Sequence, residues 1–406
     1  MRHIQLLLFF SLCLIARADC LDAFRANRGL SPESSSVMVI DLATGEELAS
    51  HNSAKPLIPA SIMKCVTVAT LLDKMDIEET YRTRVYVSGG IKDGVLDGNL
   101  VTEGAGDPSL NSRYVEGSTN ICREVADALV AEGVTVIKGR ILADETIWEG
   151  PAVPPSWMSG DLPHSYGTGS HGLNFEDNAS GSRSVSNPAA VYESRLRSEL
   201  LQKGIAVEGE DIIDGELRLL IEHESLPLDE IMRSCMMRSD NQYAEALLRT
   251  YGARTYGKGG TVRSAENVMS FWKELKSPMS GVNIVDGSGL SRANRVTAQF
   301  MASVLKERAS NPYYASFFPL AGMEGTLKNF LRDTPLEGYV AMKTGSMKGI
   351  QCYAGYKLDE DYVPTHIIVF ILNEMKSRDL AREAVAEVLL SLFSPGHGEI
   401  LEETAE

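Results

Sequence analysis

Apolar and polar positions alternate over Ser36–Asp41, and Ala43-Thr44-Gly45 follows before Glu47–His51. That pattern predicts a β-hairpin. Pro56 and Pro59 then flank an extended approach to a different texture. From Ser61 to Met75, Ile62, Val66, Val68, Ala69, Leu71, Leu72 and Met75 are apolar nearly all round, which predicts a buried central helix. From about Tyr81 to Ile221 short strand-like runs (Arg84–Val87, Asn99–Glu103, Val134–Ala143) alternate with turns such as Asp97-Gly98 and Gly106-Asp107-Pro108. Pro151–Asp177, rich in Pro, Gly, Ser and His, reads as a long ordered loop.

Helical periodicity returns at Leu228–Tyr251, Thr261–Lys276 and Thr297–Arg308. Three strands follow, Gly338–Lys343, Gln351–Leu358 and His366–Leu372, with a polar turn at Asp359-Glu360-Asp361. Asp379–Phe393 closes the pattern as an amphipathic helix, with Leu380, Ala384, Val388 and Leu392 on its inner stripe. Its outer face is not basic, so a sheet-covering role fits better than a membrane-surface one. A hairpin at the start and three strands at the end imply one antiparallel sheet, covered by helices and closed by both termini. The fold class is α/β (α+β), with a mostly β inserted domain. The expected boundaries are 19–80 and 226–395 for a discontinuous catalytic domain, 81–225 for the insert, and 396–406 for a flexible acidic tail.

Length and charge narrow the classes. A chain of 406 residues exceeds one ordinary core. A net charge of -16 argues against nucleic acid or an anionic membrane as partner. The first residues are not fold. Arg2 and His3 precede an apolar run from Ile4 to Ile15, and Ala16-Arg17-Ala18 offers small residues for a signal peptidase. Residues 1–18 therefore read as a signal peptide, and the mature chain as secreted across the inner membrane to a periplasmic or envelope location. Asp19 stands before Cys20 where a lipobox needs a small residue, which argues against lipidation. The other cysteines, Cys13 apart, are scattered and read as buried reduced thiols. No CxxC or HExxH spacing occurs and the histidines do not cluster, so no metal or other cofactor is expected.

The sharpest chemical feature is Ser61-Ile62-Met63-Lys64. A hydroxyl and an amine at i and i+3 share one helix face. Ser61 stands at the helix start, where free backbone N–H groups favour a developing anion. Burial disfavours an ammonium ion, so a lysine there can serve as base for Ser61. Alone the motif is weak, because Ser270–Lys273 and Ser303–Lys306 share it on predicted surface helices. Ser239-Asp240-Asn241 opens the helix Asn241–Arg249, where Ser239 or Asp240 could equally be a cap. Lys343-Thr344-Gly345-Ser346 occurs once and reads as the end of a sheet-edge strand. Such an edge can pair with an extended peptide, and a cation with a hydroxyl at its end can hold a carboxylate.

These three motifs, in this order, are shared by penicillin-binding proteins and class A β-lactamases. Further stretches sharpen the likeness: Pro59-Ala60-Ser61, Gly94–Leu100 followed by Gly104–Pro108, Gly139-Arg140-Ile141 leading to Asp144, and Asp286–Arg292 followed by Asn294–Thr297. Together they resemble the low-molecular-mass class C penicillin-binding proteins, the D-alanyl-D-alanine carboxypeptidase/endopeptidase family (peptidase family S13). The resemblance runs from about Ser36 to Phe393 and is weakest in Ser182–Glu230.

The resemblance implies a penicillin-recognising serine D,D-peptidase acting on peptidoglycan peptides that end in D-Ala-D-Ala or are cross-linked through D-Ala. β-Lactams are the implied covalent inhibitors. It gives Ser61 the attack on the carbonyl between two D-alanines and Lys64 the proton taken from it. Ser239 relays a proton to the leaving amine, and Asn241 binds the substrate amide and orients Lys64. Lys343 and Thr344 hold the terminal carboxylate, and the N–H groups of Ser61 and Ser346 form the oxyanion hole. Gly345 belongs to the same strand, and Met347 is a candidate for the substrate side-chain pocket. Gly287 and Gly289 imply a tight loop packed at the active site.

A serine β-lactamase would share the three motifs. The chain lacks a Glu-x-x-Leu-Asn run, and the 178-residue gap between Ser61 and Ser239 is long for that compact fold. A non-catalytic peptidoglycan-binding protein would tolerate loss of Ser61, Lys64, Ser239, Asn241 or Lys343, and all are present. A Ser-His-Asp hydrolase lacks its Gly-x-Ser-x-Gly elbow here. Trimming against cross-link cleavage, the diamino acid of the substrate, and the oligomeric state stay open at this stage.

Overall fold

The computed structural model describes residues 21–114, 120–213 and 215–394. The predicted signal peptide, Cys13, Cys20 and the predicted acidic tail lie outside the described residues. By its internal contacts the chain forms two compact units. Among the described residues, the first contains 21–69, 236–239 and 268–394, and the second those within 70–235 and 240–267. The second unit takes in the helix Asn241–Tyr256.

In the first unit, Ser35–Asp41 and Glu47–His51 form the expected hairpin. Ser35–Asp41 then pairs antiparallel with Pro364–Leu372, joining the start of the described chain to its end. The complete sheet runs Val340–Met347, Ile350–Leu358, Pro364–Leu372, Ser35–Asp41, Glu47–His51, and every pairing is antiparallel. The strand Val340–Met347 lies at the edge, as its sequence predicts, but it does not stop at Lys343. It carries Lys343-Thr344-Gly345-Ser346 within its ladder, with Ser346 opposite Gln351.

One face of this sheet is covered by the helix Arg378–Phe393, capped by Ser377, whose hydroxyl accepts from the Leu380 N–H at 3.3 Å. Its buried stripe is Ala381, Ala384, Val385, Val388 and Leu389. The stripe is rotated from the predicted one: Leu380 is exposed, and the buried residues Ala381, Ala384, Val385, Val388 and Leu389 follow the spacing of one helix face that leaves Leu380 out. The other face receives the helix Ala298–Arg308, capped by Thr297, and Tyr356 Oη donates to Leu305 O at 2.6 Å.

The predicted Ser61–Met75 helix is shorter and opens with a 3-10 turn, Ala60–Ile62, before the α-helix Met63–Leu71. Ala60 is held in the left-handed region at φ 47°. A residue with a Cβ is strained there, and such strain persists only where surrounding packing imposes it.

In the second unit one sheet orders Leu217–Glu224, Arg82–Ser88, Leu100–Glu103 and Ile141–Asp144. Another orders Ala206–Val207, Val136–Ile137, Val95–Asp97 and Gly90–Lys92. The single run predicted over Val134–Ala143 therefore serves two sheets. It breaks at Gly139, where a Cβ would meet Asn99 Oδ1 at 2.2 Å and Gly98 O at 2.4 Å. The helices Ile121–Ala131 and Pro188–Gln202 share a core with these strands through Val125, Leu129, Tyr192 and Leu196.

The four described cysteines, Cys65, Cys122, Cys235 and Cys352, are buried. Burial pushes the thiols of Cys122 and Cys352 up to about 12, so neither supplies thiolate at neutral pH. Alkylation of the native protein at pH 7.5, followed by peptide mapping, should leave both unlabelled. Labelling should appear only in denaturant. Rapid native labelling of Cys352 would mean that the strand Ile350–Leu358, next to the edge strand, opens locally.

Candidate active site

Ser61 is half-buried at the 3-10 turn that begins its helix, and Lys64 lies one turn on with no exposed surface. Lys64 Nζ donates to Ser61 Oγ at 3.1 Å and to Ser288 O at 2.8 Å. The Asp286–Arg292 segment thus fixes the amine beneath the hydroxyl. Thr67 Oγ1 adds a bond to Gly287 O at 2.7 Å, and Asp286 holds its own loop by accepting from the N–H groups of Gly289 and Ser291. The packing role expected for this loop is visible at Gly289. At φ +80°, a Cβ there would meet Ala60 O at 1.9 Å.

The edge strand approaches the same residues. A Cβ on Gly345 would lie 2.8 Å from Pro59 O and 2.9 Å from Ser61 N. Gly345 is therefore required by close approach to the backbone of Ser61, and it is buried rather than an open pairing position. Lys343 is fully buried, and its Nζ donates to Thr344 O at 2.9 Å. Thr344 Oγ1 donates to Thr326 Oγ1 at 2.8 Å.

A cleft of about 330 Å³ opens over these groups. Ser61, Ser239, Thr344 and Ser346 line it, together with Thr326, Leu327, Phe330, Gln351, Tyr353, Arg378 and Arg382. Ser239 is held at φ 60°, a second left-handed non-glycine residue in the site. Met347 ends the edge strand opposite Ile350 and is not among the residues lining this cleft.

In the second unit, Asp240 caps the helix Asn241–Tyr256, its carboxylate accepting from the Tyr243 N–H at 3.2 Å. Asn241 is buried, and its Nδ2 donates to Tyr166 O at 2.8 Å. Of the two cap candidates in Ser239-Asp240-Asn241, Asp240 does the capping, which leaves Ser239 to face the cleft.

Sequence reasoning missed Thr326, Phe330, Gln351, Tyr353, Arg378 and Arg382. Gln351 sits across the ladder from Ser346, and Arg378 opens the C-terminal helix. Neither placement has a local sequence signal, because each depends on strand register and helix packing.

A serine with a buried lysine at hydrogen-bond distance, beneath a cleft lined by further hydroxyls, defines a serine acyl-transfer enzyme. The D-Ala-D-Ala carboxypeptidase 3 (S13) family matches residues 18–181 and 176–391, so the chain belongs to that family of serine hydrolases. A D-alanyl-D-alanine carboxypeptidase of Actinomadura sp. (strain R39) is 28% identical, over 83% of this chain and 77% of its own. Carboxypeptidase DacB of Mycolicibacterium smegmatis is 27% identical, over 89% of this chain and 80% of its own. Among solved structures, penicillin binding protein 4 (dacB) from Haemophilus influenzae superposes with a TM-score of 0.78 at 22% identity, covering 93% of this chain and 98% of its own. The fold is thus that of the penicillin-recognising serine enzymes.

Proposed function

We propose that this serine-type D-Ala-D-Ala carboxypeptidase/endopeptidase works through an acyl-enzyme on Ser61, with Lys64 as the base. The carrying observation is the 3.1 Å contact from Lys64 Nζ to Ser61 Oγ, with the amine buried and tied to Ser288 O. Ser61 Oγ attacks the carbonyl of the penultimate D-alanine as its proton passes to Lys64. The tetrahedral oxyanion is received by the N–H groups of Ser61 and Ser346, a reading supported by the close approach of Gly345 to Ser61 N. The C–N bond breaks as Ser239, facing the cleft, delivers its proton to the leaving amine and takes one in turn from Lys64, which returns to the neutral amine. Water then attacks the ester, its proton passing to neutral Lys64 and on to Ser61 Oγ as the ester C–O bond breaks, which frees the acid and restores the serine.

Buried Lys343 contributes positive charge from beneath Thr344. For Asn241 and Met347, the family resemblance supports the assigned roles. The same resemblance supports peptidoglycan stem peptides as substrate, β-lactams as covalent inhibitors, and export to the periplasm or envelope with loss of residues 1–18.

The test is intact-mass spectrometry of the mature protein with benzylpenicillin over minutes to hours, beside Ser61→Ala. One lasting penicilloyl adduct on the parent and none on the variant is the expected result. No adduct on folded parent protein sinks the proposal. An adduct that disappears while penicillin is consumed rapidly identifies a β-lactamase instead.

A further inference from the structure

The cleft holds two cations to which the three sequence motifs give no role. Arg378, exposed at the start of the C-terminal helix, reaches the edge strand: its Nη2 donates to Ser346 Oγ at 3.0 Å and its Nε to Gln351 Oε1 at 3.2 Å. Arg382, one turn on, lies with its guanidinium 5.4 Å from the centre of the Phe330 ring. Both line the same cleft as Ser61. Neither forms an ion pair with a carboxylate among the described residues.

Donor accounting decides what the cleft can offer an anion. The Ser346 hydroxyl spends its proton on Gln351 Oε1 at 2.7 Å, and the Thr344 hydroxyl spends its own on Thr326 Oγ1. Lys343, the cation that sequence reasoning placed on the carboxylate, is fully buried. A guanidinium has five N–H donors, and the protein engages two of those on Arg378. The remaining donors form a planar fork suited to a carboxylate. The two protein bonds fix that fork in place, so little side-chain freedom is lost when an anion arrives.

Resting on the acyl-enzyme reading above, we propose that Arg378 binds the terminal carboxylate of the leaving D-amino acid, with Arg382 adding charge of the same sign. Ser346 and Thr344 lie two residues apart on the edge strand, so they share a face. Arg378 is bonded to the Ser346 end of that row, in the cleft where Ser61 attacks. The carboxylate being recognised belongs to the residue that departs, so the arginine selects for a free acid on the leaving side of the scissile bond.

The experiment compares kcat/KM for N-acylated D-Ala-D-Ala with that for its C-terminal amide, in the parent, Arg378→Gln and Arg378→Lys. A charge-assisted contact predicts that Arg378→Gln loses about tenfold or more on the acid. The same variant should change less than about threefold on the amide, because the lost contact is absent there. Arg378→Lys should recover part of the acid-to-amide preference. Equal losses on both substrates would assign Arg378 to supporting Ser346 and Gln351 and would overturn the inference. An unchanged acid-to-amide ratio in Arg378→Gln would overturn it as well. A parent protein that cleaves neither substrate and takes no penicillin would instead sink the acyl-enzyme reading itself.

Discussion

Lys64→Met should lower both penicillin acylation and D-Ala release by about a thousandfold or more, while the protein stays folded. The reasoning starts from burial. Lys64 has no exposed surface, so Ser61 is served by an amine that bulk water does not replace. With the amine gone, Ser61 Oγ must lose its proton to a far weaker acceptor, and the nucleophile is an ordinary hydroxyl. Methionine is unbranched and close in volume, so the packing of Ile62, Met63 and Val66 around the helix is kept. The structural cost includes the lost bond to Ser288 O, of order 1–3 kcal/mol, offset by no longer burying an amine. Acylation rates from a penicillin time course, read beside the thermal unfolding midpoint, check this. A variant that acylates within tenfold of the parent would remove Lys64 from the role of base.

Much of this site was legible in the chain because its parts are local. Ser61 and Lys64 are one helical turn apart, and Lys343 to Ser346 follow one another along a strand. Helix and strand periodicities place such residues without knowledge of the tertiary fold. The hairpin and the last three strands were legible as short runs bounded by polar turns, the last of them, His366–Leu372, an almost wholly apolar run that is buried along most of its length. What was not legible depends on long-range register. The Val134–Ala143 run looks like one strand until Gly139 is seen against Asn99 and Gly98. The stripe of the C-terminal helix is misjudged at Leu380, because hydrophobicity favours a leucine over the small Ala381 that is in fact buried beside it. Gln351 and Arg378 reach the cleft through a strand pairing and a helix start that no short motif encodes. Ala60 is the converse case. Nothing about an alanine announces a left-handed backbone, and its strain is imposed by neighbours distant in sequence.

Those neighbours lead to the second large expected effect. Gly289→Ala should destabilise the protein by about 2–4 kcal/mol and slow acylation of Ser61 by about a hundredfold per folded molecule. Two costs add at this residue. Its φ of +80° lies where a side chain is strained. Its added methyl would also stand 1.9 Å from Ala60 O and 2.9 Å from Met63 Cβ, neither of which is a flexible side-chain end. The clash can be relieved only by moving the loop or the turn, and both moves disturb the nucleophile. If the loop retreats, Ser288 O withdraws from Lys64 Nζ and Gly287 O from Thr67 Oγ1. If the turn retreats, Ala60 pushes Ser61 towards Gly345, where 2.9 Å to Ser61 N is already too close for a Cβ. Denaturant unfolding gives the first quantity, and penicillin acylation normalised to folded protein gives the second. A variant that is destabilised yet acylates at the parental rate would show that the loop supports the fold without positioning Lys64 against Ser61.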